Sequence, residues 1–317
     1  MVNDECLIMD ESKKDNISDK NKIQNPTSKI QHSKKWYIVD HDGNPVEPAP
    51  DYIQTQITSH LSQLTSHSSP LTSLPLITVI TVVYNGEKYL EETIQSVINQ
   101  TYPNVEYIII DGGSTDGTLD IIKKYEDYID YWVSEKDNGI YDAMNKGVDV
   151  ALGKWVYFLG SGDIFYSSHV LKSIFIDLKD LGSAFILFGD IIYDDGRLFK
   201  SRYGTSLYYR NTIHHQGAFY RRKLFDKFRY QSNYIVSADY ELNLMLFCNK
   251  NPSLNVKIII AKCNNEGISN QVNLRGYIEE IEIRHKYLGR INLLKYDLLT
   301  LLRYLIKRFS KNVLLRK

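Results

Sequence analysis

The chain has 317 residues, 43% hydrophobic and 24% charged, enough for one large domain or two small ones with a sizeable core. Lys plus Arg and Asp plus Glu both number 38, so no global charge draws it to nucleic acid, and attraction to an anionic surface has to be local. Cys6, Cys248 and Cys263 fit neither a disulfide framework nor a zinc-ligand spacing, which makes a reducing compartment the default.

Residues from Met1 to about Lys35 mix Lys, Asp, Asn and Ser without periodicity, the composition of a disordered segment. The opening MVNDECLIMDESKKD is polar and acidic, unlike a secretory signal. Trp36–Val39 reads as a strand and Asp42-Gly43-Asn44 as a turn, predicting a small hairpin over 36–48. Pro48–Pro75, rich in Ser, Thr and Pro, reads as a linker, so 1–75 stands apart from an organised domain over 76–288. No apolar run is long enough to span a membrane.

Ile77–Val83 is apolar apart from Thr78 and Thr81, the pattern of a buried parallel strand, and Tyr84-Asn85-Gly86 ends it. Glu87–Gln100 has helical spacing. Val105–Ile110 is a second strand, ending in Asp111-Gly112-Gly113-Ser114, and Thr115–Tyr125 a second helix. Ile129–Val133 is a third strand, ending in Ser134-Glu135-Lys136-Asp137, and Asn138–Leu152 a third helix. Trp155–Leu159 is a fourth strand, broken by Gly160-Ser161-Gly162 with Asp163 just beyond. This alternation predicts an α/β fold, a mostly parallel sheet with helices on both faces. Ligands bind outside the carboxyl ends of such strands, and Asp111, Asp137 and Asp163 collect there. Taken alone, Asp163 either reaches a metal or caps the next turn.

Past Asp163 the pattern is less regular. Ala184–Gly189 and Asp190–Lys200 read as strands with an Asp194-Asp195-Gly196 turn, Gly217–Arg221 as a short strand, Asp239–Cys248 as a helix and Val256–Ala261 as a late strand. This half would supply the second substrate's site. Leu294, Leu298, Leu301, Leu302, Leu305 and Phe309 then fall on one helical face, with Lys295, Arg303, Lys307, Arg308 and Lys311 on the other. Residues 289–317 are therefore expected to form a basic amphipathic helix suited to an anionic membrane surface. The alternative is a core-packing terminal helix with a solvated basic face.

In this order, TVVYNGEKYL, IIIDGGSTDGT, SEKDNGIYDAMNKG, FLGSGDIF and SADYEL resemble the family 2 glycosyltransferases of the GT-A fold, of the kind that build bacterial O-antigens and exopolysaccharides. The resemblance runs from Ile77 to about Arg284. It implies a GT-A, Rossmann-like sheet and an inverting, hexosyltransferase-like enzyme. The donor would be a nucleotide sugar, expected to be UDP-linked, and the acceptor a saccharide or lipid-linked saccharide in surface polysaccharide biosynthesis. It also implies Mg²⁺ or Mn²⁺. The amphipathic 289–317 helix, with the reducing compartment read from the cysteines, predicts a peripheral place on the cytoplasmic membrane face. Processive relatives carry QxxRW and transmembrane helices; neither is found here, so single-sugar addition is expected.

Residue by residue, the resemblance puts the general base at Asp239, with Glu241 as backup. A helix N-terminus would favour the ionised form of Asp239, though simple helix capping is the rival role. Asp163 answers to the last acid of the family's DxD motif and would be the metal ligand; Ser161 stands at the first acid position and Gly162 between them. One carboxylate in place of two implies a loosely held ion completed by the diphosphate and waters. Asp111 would accept hydrogen bonds from the base or ribose, or else organise its own turn. Tyr84 and Asn85 would line the same pocket, Asn85 otherwise capping the next helix, and Glu87 would reach the ribose. Asp137 matches the acid of the third loop, and Asn145 and Gly147 lie on the helix that faces the donor. Met144 stands where many relatives carry Arg, so Lys136 or Lys146 either replaces that diphosphate contact or is solvated. His214 and His215 resemble a His-bearing strand, from which one ring, that of His215, would face the site. Two other readings stay open. A sugar-nucleotide nucleotidyltransferase would need a Gly-rich loop with Arg and a Pro-Lys element, which YNGEKYL lacks. A non-catalytic nucleotide-sugar-binding module fits SGD and Met144 but not a retained Asp239.

Overall fold

The computed structural model describes residues 37–39, 45–48, 74–178, 180–265 and 274–314. The N-terminal disordered segment, the hairpin turn and the linker expected above lie outside these residues. β1 (Tyr37–Val39) pairs antiparallel with β2 (Pro45–Pro48).

The main body alternates as expected through its first half. It runs β3 (Ile77–Val83), α1 (Leu90–Ile98), β4 (Val105–Asp111), α2 (Thr118–Lys124), β5 (Tyr131–Ser134), α3 (Ile140–Val150) and β6 (Trp155–Phe158). A two-residue strand, β7 (Ile164–Phe165), follows, then a helical segment through Val170–Asp177. The second half holds β8 (Ile186–Tyr193), β9 (Leu198–Phe199), β10 (Ala218–Arg221), α4 (Ala238–Cys248), β11 (Ser253–Cys263), α5 (Leu274–Tyr287) and α6 (Arg290–Leu314). The strand break expected between Gly189 and Asp190 does not occur. β8 runs straight through, because Gly189 leaves room for the Ile258 carbonyl of β11, 2.6 Å from where a Cβ would stand.

The sheet has nine strands in the order β5-β4-β3-β6-β10-β8-β11-β7, with β9 paired to β8. β3, β4, β5 and β6 are mutually parallel, and β8 and β11 are parallel to each other. β10 is antiparallel to both β6 and β8, and β7 and β9 are antiparallel to β11 and β8 respectively, so the sheet is mixed. Period-two alternation sends side chains to two cores. Val79, Ile109 and Tyr157 face the core beneath α1, while Ile80, Ile108 and Phe158 face the core beneath α3 and α4.

α3 lies close on that second face because of Gly147, where a Cβ would sit 2.5 Å from Ile80 Cγ2. Gly147 is a packing residue, and the donor contact expected of it is not what its position provides. Gly147→Val should lower stability by about 3 kcal/mol, the upper end for overpacking a tight core, while leaving UDP affinity unchanged. Urea unfolding and calorimetric titration measure the two separately.

Candidate active site

The first two loops at the carboxyl edge of the sheet are laced together. Asn85, at φ +50°, donates its N–H to Ser114 Oγ at 2.7 Å and accepts from Thr115 N through Oδ1 at 2.9 Å. Glu87 N–H donates to Asp116 Oδ2 at 3.1 Å, and Glu87 Oε2 accepts from Gly117 N at 3.1 Å. Asn85 therefore clamps the neighbouring loop; the helix that follows starts at Leu90 with no side-chain cap. Tyr84 stands 65% exposed beside this clamp.

Asp111 closes β4 and is wholly buried. Oδ2 accepts from Gly113 N, Ser114 N and Ser134 Oγ, and Oδ1 from Ser114 Oγ. Three of these bonds fall on Oδ2 and one on Oδ1. Of the two roles expected of Asp111, these bonds show the organising of its own turn: the side chain folds the Asp111–Ser114 loop. Asp137 lies against that loop, its Oδ2 2.5 Å from where a Cβ on Gly112 would be, and its Oδ1 accepts from Gly139 N at 2.8 Å. Burial raises its pKa.

Asn145 does not face a donor. Its amide pairs with the Tyr230 backbone in both directions, Nδ2 to the carbonyl at 2.8 Å and Oδ1 from the N–H at 3.0 Å. Met144 is in the core, and Lys146 is ion-paired to Glu135 at 2.6 Å.

β7 pairs antiparallel with β11, and that pairing brings Asn264 beside Asp163. Asp163 Oδ1 accepts from Asn264 N at 2.9 Å and Oδ2 from Gln216 Nε2 at 2.7 Å. Gly162, at φ +96°, makes the turn, and its N–H donates to Thr93 Oγ1 at 3.0 Å. Burial pushes Asp163 up to about 7, against the pull of the Asn264 and Gln216 bonds. Ser161 Oγ is buried without a partner.

His215 opens a single 3-10 turn ahead of β10, so the strand alternation expected for the two histidines does not apply. Its ring stacks on Phe158 at 5.1 Å and both ring nitrogens are buried without partners. Burial pushes His215 down to about 3, so the ring is neutral. His214 turns elsewhere, to the Tyr193 hydroxyl at 3.1 Å.

Asp239 sits in the first turn of α4 but does not cap it. Its Oδ2 accepts from Asn211 Nδ2 at 2.7 Å, and its Oδ1 lies 3.4 Å from the Tyr141 hydroxyl. The backbone ahead of α4 is held instead by Glu279 of α5, which accepts from the N–H groups of Ile235, Val236 and Ser237 at 2.9, 3.1 and 3.1 Å. Burial pushes Asp239 up to about 6, against the pull of the Tyr240 backbone N–H and the Tyr141 hydroxyl, so the carboxylate is ionised at neutral pH but holds its proton more tightly than an exposed Asp. Glu241 does not stand behind it as a second base: it points at α5, where Oε1 accepts from Lys286 Nζ at 3.1 Å and the Tyr287 hydroxyl at 3.2 Å.

Set on this fold, residues 78–240 match the family model for glycosyl transferase family 2. The chain belongs to that family. A PGL/p-HBAD biosynthesis glycosyltransferase, Rv2957 of Mycobacterium tuberculosis (strain ATCC 25618 / H37Rv), is 31% identical over 220 residues, 65% of this chain and 84% of that one. TuaG of Bacillus subtilis (strain 168), provisionally named a teichuronic acid biosynthesis glycosyltransferase, is 44% identical over 103 residues, 32% of this chain and 41% of TuaG. Among solved structures, S. aureus TarS 1–349 in complex with UDP-GlcNAc superposes with a TM-score of 0.56 at 21% identity, over 66% of this chain and 64% of that one. This chain spans 39% of the longer TarS structure. The TarS likeness shows the GT-A type of fold.

The glycosyltransferase's site thus has partners that no local motif announced. Gln216 adjoins the His pair and could have been picked out from it, whereas Asn264 and Asn211 reach their aspartates from 101 and 28 residues away. Family 2 enzymes commonly use a divalent cation. Among the described residues no group of three His, Cys, Asp or Glu side chains could hold one alone. The donors do fit an ion carried by a diphosphate: a carboxylate, Asp163, and an unpartnered buried hydroxyl, Ser161 Oγ, both hard oxygens.

The raised pKa of Asp239 sets a direction for stability. The folded state holds this proton more tightly than the unfolded chain, so the group costs nothing near pH 4 and its cost grows until about pH 6. Asp239→Asn should match wild type in urea midpoint near pH 4 and exceed it at pH 7.5.

Proposed function

We propose that this glycosyltransferase transfers one sugar, with inversion, from a UDP-sugar to a hydroxyl of a saccharide or lipid-linked saccharide in surface polysaccharide or glycolipid assembly. The observation that carries the reading is Asp239, a desolvated carboxylate with Oδ2 occupied by Asn211 and Oδ1 left to a long 3.4 Å contact. A base whose pKa is raised towards neutrality removes a proton with better driving force than an ordinary Asp. The acceptor oxygen attacks the anomeric carbon as its proton passes to Asp239 Oδ1. The bond from the anomeric carbon to the diphosphate oxygen breaks, and its electron pair leaves with the nucleoside diphosphate. Asp163 and Ser161 would hold Mg²⁺ or Mn²⁺, which when bound neutralises the departing diphosphate. The Tyr84 ring, the Asn85–Glu87 clamp, the Gly112–Gly113 backbone, Asp137 and the Gly162 turn would bound the nucleotide, and His215 would meet a hydroxyl of the sugar. The UDP-GlcNAc held by TarS supports the choice of nucleotide.

α6 supports a membrane-surface location. Leu294 and Leu298 are 80% and 66% exposed, and Leu301, Leu302, Leu305 and Ile306 are exposed with them. Lys295, Lys307 and Arg308 are exposed alongside, the charge that matches an anionic bilayer.

Asp239→Asn should lose about 10²–10⁴-fold in turnover while binding UDP as wild type does, and the product should carry the configuration opposite to the donor's. Near-normal turnover, or retained configuration, would reject the mechanism. Asp163→Ala should abolish the Mn²⁺ dependence of UDP affinity in calorimetry; equal affinity with and without Mn²⁺ in wild type would remove the metal role. Leu298→Glu should release the protein from phosphatidylglycerol vesicles at low salt. Wild-type protein that ignores those vesicles, or that sediments as a dimer lost in Leu298→Glu, would assign the leucine face to protein contact.

A further inference from the structure

The base is one end of a buried hydrogen-bonded chain. Asp239 and Asn243 are four apart on α4 and so share a face. Asn211, from the segment ahead of β10, bridges them. Its Nδ2 donates to Asp239 Oδ2 at 2.7 Å, and its Oδ1 accepts from Asn243 Nδ2 at 3.1 Å. Asn243 Oδ1 in turn accepts from the Tyr220 hydroxyl of β10 at 2.9 Å, and both Asn243 and Tyr220 are wholly buried.

An ionised carboxylate only accepts, so the Asn211 amide must turn its nitrogen to Asp239 and its oxygen to Asn243. That choice leaves the Asn243 oxygen for the Tyr220 proton. The direction of every bond in the chain is therefore set from the Asp239 end, and every bond resists rotation of the carboxylate.

We propose that Asn211 is the positioning residue of the catalytic base: it holds Asp239 Oδ2 so that Oδ1 alone receives the acceptor's proton. This rests on the reading of Asp239 as base. The other groups facing Asp239 are the hydroxyls of Tyr141 on α3, Tyr220 on β10 and Tyr230 in the loop before α4. Glu279 of α5 acts on Tyr141 from behind. All three tyrosines are buried and neutral; the Tyr240 backbone N–H and the Tyr141 hydroxyl favour the charged carboxylate most, and Asn211 is the side-chain amide that joins them, at the shortest side-chain distance.

The test is a ¹³C titration of Asp-Cγ-labelled protein, with Asp239 identified as the signal lost in Asp239→Asn, alongside UDP-sugar turnover. Asn211→Ala should move the Asp239 midpoint up by about one unit, the size of one charge-assisted bond. Turnover should fall by about 10²-fold with UDP affinity unchanged. Asn243→Ala, one link further back, should move the midpoint less. If Asn211→Ala fails to fold, the isosteric Asn211→Asp serves: a second carboxylate facing the first should raise the midpoint further and split the titration into two steps. An Asp239 midpoint unmoved by either Asn211 variant overturns the proposal, whatever happens to turnover. Near-normal turnover in Asp239→Asn removes the base and its positioning residue together. A shifted midpoint in Asn211→Ala would then show that the hold on the carboxylate is real and that the base reading failed.

Discussion

The carboxylate of Glu279 is the contact on which the catalytic half of the molecule depends. Wholly buried, it accepts from three successive backbone N–H groups just ahead of α4. Those donors have no helical partner, and leaving them buried and unpaired would cost a few kcal/mol. Glu279 thereby fixes the backbone that leads into α4, whose first turn carries Asp239 towards Asn211 and Tyr141. The family-model match ends at Tyr240, yet this residue lies well beyond it on α5. The C-terminal helices therefore belong to the working domain.

The same helices hold the other side of the Asn211–Asp239 contact. Arg284, wholly buried, donates to Asp297 at 3.0 Å, to Thr300 at 2.9 Å and to the Tyr209 carbonyl at 3.3 Å. Arg303 reaches the same carbonyl at 3.3 Å, and the Tyr240 hydroxyl holds that of Leu207 at 2.7 Å. The segment carrying Asn211 is thus tied to α4, α5 and α6 just upstream of it. A buried cation stripped of its partner typically costs about 3–5 kcal/mol, so loss of Asp297 would loosen this segment along with α6.

What the sequence made legible follows period and punctuation. Strands β3, β4 and β6 show because they are buried on both faces, and all four strands from β3 to β6 end in glycine-bearing loops, which is why Asp111, Asp137 and Asp163 fall at or beyond their ends. Which of those loop residues point outward does not show. Asp111 and Asn145 carry the chemistry of ligand contacts, but their hydrogen bonds are taken up by Ser114 and Tyr230, partners fixed only when the loops fold. Gly147 has its meaning in its distance to Ile80, a contact between a helix and a strand 67 positions apart in the chain. Asn211 is invisible locally, because an asparagine in a polar stretch looks like a turn residue until α4 is packed against it.

α6 shows the limit of periodicity most sharply. The repeat identifies the residues that share a face, but it is symmetrical as to which face turns inward. Burial of apolar area alone would turn the leucines in, at roughly 25 cal/mol per Å². The opposite holds here. Asp297, Thr300 and Arg303 face the domain, where Arg284 and Glu280 offer them charge-assisted partners, and the leucines are left outside. A buried arginine already in place makes the polar face the complementary one, since Arg284 without Asp297 would be a desolvated charge with no counterion. The buried ion pair thus decides the orientation of the helix, and the orientation leaves an apolar strip beside Lys295 and Arg308 uncovered among the described residues.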